Sequence, residues 1–188
     1  MNKKRSFIFL FLSCLTIICL FSCERDDICA ENVTPFLVID FVELEDSDSP
    51  NNVVDLQIEY IGTNMTPGDT TKFVFDNATT TESVSLLLPT FKNSASFRFI
   101  QNFGTEINEE GEIIPNLTEA EVDTVEFRYN TDEEYVSRAC GFKISYSNLS
   151  VEITEGDGNT ITEGFIKSRN IINQIIEDEE EAHLHFLH

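Results

Sequence analysis

Tryptophan is absent from the chain, histidine is confined to its last six residues, and Lys and Arg number 12 against 34 Asp and Glu. Each scarcity excludes something. So few positive charges leave no electrostatic footprint for nucleic acid, which needs clustered Lys and Arg, and they disfavour docking of a folded domain on anionic lipid. A Ser or Cys nucleophile would have to take its base from the C-terminal tip, a poor place to hold a triad in register. Sugar sites rely on aromatic platforms, and four tyrosines with no tryptophan offer little to build one. The G-x-S-x-G, G-x-G-x-x-G, P-loop and H-E-x-x-H patterns are all missing. The apolar run from Phe7 to Phe21 is about 15 residues, short of the roughly 20 that span a bilayer.

That run does have a reading. Lys3, Lys4 and Arg5 precede it, and Leu20-Phe21-Ser22-Cys23 closes it. A basic, then apolar, then small-residue pattern is a secretory signal. A cysteine at the cleavage point makes it a lipobox, with Cys23 as the lipid-attachment residue and the acylated N-terminus of the mature protein. Two or three acyl chains hold a protein at a bilayer firmly, where one alone is marginal. A plain signal or an uncleaved anchor is the alternative. The expected organisation is a signal peptide over 1–22, a lipidated tether over 23–33 and one domain over 34–188. The expected location is the cell envelope, anchored to the outer membrane on its periplasmic or its outward face. Glu24, Asp26 and Asp27 directly after Cys23 resemble the surface-export signals of Bacteroidetes-type lipoproteins.

Removing 22 of 188 residues leaves enough chain for one domain with a real core. Loss of the three basic residues of the signal takes the formal charge from −22 to −25. Of the five cysteines, Cys14 and Cys19 fall within the signal and Cys23 is taken by lipid. Cys29 and Cys140 remain, and in an oxidising compartment a disulfide is the natural reading, two unpaired thiols the alternative. Closing a loop of roughly 110 residues would stabilise by about 4–5 kcal/mol in the chain-entropy model.

From residue 34 onward the dominant period is two, the mark of half-buried strands. Phe36 to Leu44 is apolar on both faces, which fits a central strand. Val54, Leu56, Ile58 and Tyr60 alternate with Asp55, Gln57 and Glu59. Phe73 with Phe75 marks another strand. Val84, Leu86 and Leu88 form the next, stopped by Pro89, followed by Phe97 and Phe99. Val125, Phe127 and Tyr129 give another stripe, and Cys140, Phe142, Ile144 and Tyr146 one more, which Val151 and Ile153 continue after a kink. Turn residues at Ser49–Asn52, Thr66–Asp69 and Glu155–Asn159 separate the runs. The spacing predicts an all-β fold, an antiparallel β-sandwich of immunoglobulin-like size. Gln101 to Glu121 reads as an acidic surface excursion. Residues 165–181 fit either a helix or a strand paired with Ala182–Leu187 across an acidic turn, and alternation of Leu184 and Phe186 with His183 and His185 favours the strand.

The candidate chemistry is thin. His183 and His185 are two apart and would share a face of a strand, as metal ligands can. No further Cys or His is available to complete a zinc site, so solvated histidines, His188 included, are the expectation, with no metal and no cofactor. Glu43, Glu45, Asp46 and Asp48 crowd one loop, and Asp157 with Asn159 another. Hard cations take oxygen-rich loops of this kind, but Pro50 falls where an EF-hand loop needs a ligand. Solubilising acidic loops are the expected reading. No catalytic residue is singled out, although paired carboxylates among 34 acids leave glycoside cleavage open.

Several segments together resemble a family of Bacteroidetes lipoproteins of unknown function. They are Cys29 followed by Thr34-Pro35-Phe36-Leu37, Leu86-Leu87-Leu88-Pro89, Asp123 to Tyr129, Val136-Ser137-Arg138-Ala139-Cys140-Gly141-Phe142, and His183-Leu184-His185-Phe186. The likeness runs over nearly the whole mature chain. Its most specific element, Val-Ser-x-x-Cys-Gly-Phe with an upstream cysteine, implies pairing of Cys29 with Cys140. It implies no activity, cofactor or catalytic residue. The chain departs from the pattern in the acidic stretch around Glu106 to Glu121. The expectation is a non-enzymatic envelope module, tied to the membrane through its lipid and binding an envelope protein partner. An envelope hydrolase with paired carboxylates, or a calcium- or glycan-binding module, is the competing class.

Overall fold

The computed structural model describes Cys29 and residues 33–61, 72–73, 78–107, 109–111, 113–156 and 163–188. Among these there is no helix; the chain is all-β, in two packed sheets and a small hairpin. The signal, lipobox and most of the tether lie outside the described residues, as do the Thr66–Asp69 turn, Phe75, Asp157 and Asn159.

The first sheet is built on β1, Leu37–Val42, with Leu37, Ile39 and Phe41 fully buried. β1 is central, as its apolar character requires. On one side it pairs antiparallel with β5, Ser83–Leu86; on the other it pairs with β12, Leu184–Leu187, which in turn pairs antiparallel with β11, Ser168–Ile171. The β1–β12 pairing is parallel, which corrects the expectation of a wholly antiparallel sandwich. Parallel neighbours need a long connection. Here nearly the whole domain supplies it, because the last strand returns beside the first.

The second sheet runs β10–β9–β6–β2–β3, with β4, Thr79–Thr81, also on β2. Its members are β2 (Val53–Ile61), β3 (Lys72–Phe73), β6 (Ser94–Gln101), β9 (Glu121–Ser137) and β10 (Gly141–Glu155). The inward rows follow the period-two reading through Phe97, Phe99, Val125, Phe127, Tyr129, Ile144 and Tyr146. The kink between Tyr146 and Val151 is a bulge between Ser147 and Ser150, with Asn148 at φ 56°. Between the sheets the fill is phenylalanine: Phe99 of β6 lies 6.5 Å from Phe41 and 5.6 Å from Phe186, ring centre to ring centre, edge on. Each such buried side chain contributes on the order of 1.5–3 kcal/mol relative to exposure.

Three strand expectations shift. In β2, Val53 rather than Val54 is buried, because a bulge at Asp55, φ 46°, inserts a residue before Leu56 and turns Val54 outward. The acidic excursion carries its own hairpin, β7 (Gly104–Ile107) with β8 (Ile113–Asn116). Only Ser168–Ile171 of the ambiguous C-terminal stretch is strand. Residues 172–183 cross back as a loop pinned by a bridge between Ile176 and Tyr146, with Glu177 to Glu181 in solvent.

Candidate functional site

The cysteines come first, since the tertiary structure brings them together across 111 residues. Cys29 and Cys140 form a disulfide, with Cα atoms 4.8 Å apart. Cys140 sits in the turn between β9 and β10, where its amide donates to Ser137 Oγ at 3.1 Å. Further along β10, Ile144 N–H donates to the Val33 carbonyl at 2.7 Å.

His183 is buried, which corrects the expectation of a solvated residue there, while His185 and His188 are half-buried. β12 is an interior strand of its sheet. His183 is 3% exposed, and its Nδ1 accepts the Val38 amide at 3.1 Å while its own amide donates to the Val38 carbonyl at 2.9 Å. The ring therefore stands in for a strand residue against β1. Burial pushes its pKa down, against the opposing pull of Asp178 and Glu179. His188 lies edge-on to Phe41 and Phe165. Among the described residues, no three His, Cys, Asp or Glu side chains come together as metal ligands could.

In the Glu43–Asp48 loop, Asp46 satisfies its own turn: Oδ2 accepts from Ser49 Oγ at 2.8 Å and Oδ1 from the Asp48 amide at 3.2 Å. The Ser49 hydroxyl, then the Asp48 amide, hold its pKa below the usual carboxylate range. Beside this loop is a pocket of about 250 Å³ whose lining includes Asp40, Phe41, Val42, Asp48, Glu82 and His185. It falls below the roughly 300–1,000 Å³ of ordinary small-molecule sites. His185 Nδ1 is buried and has no hydrogen-bond partner among the described residues.

One buried carboxylate was not singled out from the sequence. Asp123 is fully buried, on the inward face of β9 in phase with Val125 and Phe127, and that phase is the signal that could have found it. Its Oδ2 accepts the Phe165 and Ile166 amides at 2.8 and 2.9 Å. Burial raises its pKa, the two amides and the nearby Lys167 opposing. A Cβ at Gly164 would collide with the carboxylate, so glycine is required there by close approach. Asp123 thereby clips the segment entering β11 onto β9. Tyr129 and Tyr146 do similar work on the 88–93 loop, their hydroxyls donating to the Pro89 and Leu88 carbonyls at 2.9 and 2.8 Å.

Residues 60–188, more than half of the chain, match a family of unknown function, DUF6452. The chain belongs to this family. The DUF6452 span holds the later strands, from β3 through β12, with Asp123, Cys140 and the three histidines; β1 and Cys29 precede it. The disulfide and the β1–β12 pairing therefore staple the DUF6452 span to the segment before it. No curated protein matches the chain. No solved structure matches it either.

Proposed function

We propose that this DUF6452 protein is a lipoprotein of the Bacteroidetes type, held at the outer membrane through Cys23 and acting without catalysis as a protein-binding accessory module. The observation that carries the reading is the N-terminal segment: a basic start, a short apolar run and Leu20-Phe21-Ser22-Cys23. An acidic surface and a rigid β-domain behind a tether suit a module that presents a surface to an envelope partner. Metabolic labelling with a palmitate analogue should mark the wild type and not Cys23→Ala. Affinity purification of the tagged lipoprotein from crosslinked envelopes should recover one specific protein; recovery of none sinks the module reading.

A second reading has one observation in its favour, the pocket whose lining includes Asp40, Asp48, Glu82 and His185. It would serve a hydrolase of small substrates or a cation-binding module. Millimolar calcium should then raise the melting temperature well beyond magnesium, because binding to the native state alone stabilises it. Asp46→Ala with Asp48→Ala should abolish that rise. The accessory-module reading expects only a small, cation-independent shift from screening.

A further inference from the structure

The β9–β10 hairpin runs past the sandwich. Glu133 opposite Ile144 is its last pair with a buried member, and four residues of β9 continue beyond it to Ser137, about 13 Å at strand rise. That projection carries an apolar surface. Tyr135 and Phe142 face each other across the strands, ring centres 5.6 Å apart, and are 58% and 56% exposed, with Val136 exposed beside them. Exposed aromatic pairs at the far end of a projecting hairpin contribute nothing to the core, so their surface is free for contact.

The charges around the pair are ordered along the hairpin. Arg138 lies in the turn, at the extreme end; Lys143 and Glu134 face each other one step behind the aromatic pair, and the exposed Glu133 and Asp132 stand further back, towards the sandwich. An apolar aromatic band with a cation at its outer edge, a Lys143–Glu134 pair behind it and further acids set back is the order of a segment at a membrane–water interface, where Tyr and other aromatic rings lodge at headgroup level. Acids set back from the surface remain in water.

The covalent route of the chain decides which surface this end meets. Cys29 is bonded to Cys140 in the hairpin turn and Val33 pairs with Ile144 nearer the body, so the residue nearer to Cys23 in sequence is the one held at the tip. Cys29 is six positions along the sequence from Cys23, at most about 22 Å of extended chain. We infer that the β9–β10 tip is the membrane-facing end of the domain, with Tyr135, Val136 and Phe142 seated at the headgroup level of the bilayer that holds Cys23. The disulfide is then an orienting device as well as a staple: it brings the lipid attachment to the hairpin tip, hairpin down and the β7–β8 hairpin outward. This inference rests on the lipoprotein reading of Cys23 and adds an orientation to it.

The absence of tryptophan makes the test direct, since a single introduced Trp is the only indole emitter. Full-length Phe142→Trp and Ile107→Trp proteins, the second altered at a 73% exposed position on β7, at the other end of the long β9, are produced with their signal, purified, and reconstituted in phosphatidylethanolamine vesicles with or without acyl-brominated lipid. Mass spectrometry of the N-terminal peptide and vesicle flotation are read on the same samples. The expected result is an acylated Cys23, flotation of both proteins, a blue-shifted Phe142→Trp emission quenched roughly twofold by brominated lipid, and an unquenched Ile107→Trp. Acylation and flotation with equal quenching of the two would overturn the orientation and leave the lipoprotein reading standing. A blue-shifted Phe142→Trp emission that brominated lipid does not quench would mean that a second copy covers the tip, and also overturns it. An unmodified Cys23 with no flotation removes both readings.

Discussion

Two buried ionisable side chains set opposite pH slopes on the stability of this domain. Asp123 has its pKa raised by burial, so the folded state holds its proton to higher pH than the unfolded chain does. Stability from this group is present at low pH and declines as pH rises from the ordinary carboxylate value through the raised one. His183 is the reverse case. Its lowered pKa means that the unfolded chain binds the proton first, so stability declines as pH falls below about 6.5. Urea melts across this range should show both. In Asp123→Asn an amide oxygen can still accept from Phe165 and Ile166 while the buried charge is gone, so stability near neutral pH should match or exceed the wild type and the acid-side slope should flatten. Asp123→Ala strands two buried amides and should cost about 2–4 kcal/mol. His183→Asn places an oxygen near the Nδ1 position; it should keep the Val38 bond in part and abolish the loss of stability as pH falls below about 6.5.

At the scale of elements, phase matters more than propensity. The residues of β2 read as a clean alternation, and from Leu56 onward the inward set is the expected one; the bulge at Asp55 puts the phase break before it. Aspartate tolerates the left-handed backbone there, where a β-branched residue does not. Asp55→Val should therefore destabilise by about 1–2 kcal/mol in thermal or urea unfolding, and Asp55→Gly should be close to neutral. Edge protection follows from the same strands. β11 at one edge of its sheet is four residues long with Ser168, Arg169 and Asn170 exposed, and β10 is partly covered through Ile144, Tyr146 and Leu149, which bond to Val33, Ile176 and Gln174. Short, polar or covered edges discourage strand addition by other chains.

The whole molecule is closed by contacts between its ends. β1 and β12 are neighbours, His183 pairs with Val38, and the disulfide joins Cys29 to Cys140. Each links residues more than a hundred positions apart, so the unfolded chain loses much freedom when they form. The double variant Cys29→Ser, Cys140→Ser should lose about 2–4 kcal/mol, seen as a lower urea midpoint, and reduction of the wild type should lower its melting temperature to match. Retention of the wild-type midpoint after reduction would show that the loop is closed by the sheet contacts alone.

Much of the architecture is written in local pattern. Period-two runs of Phe, Val and Ile announce the strands, and Pro and Asn mark the 49–52 turn. Burial on one face of a strand imposes that pattern residue by residue, so one sequence suffices to read it. The functions of individual polar residues are not local. His183 looks like any terminal histidine until Val38 is brought against it, and Asp123 looks like another of 34 acids until Gly164 closes over it. The parallel return of β12 beside β1, the pocket between the Asp46 loop and His185, and the aromatic pair on the projecting hairpin tip all depend on partners far away in the chain. Sequence pattern determined which residues must be buried; only the tertiary structure decided what each meets there, because long-range pairing is chosen by the fit of whole faces and not by any short segment.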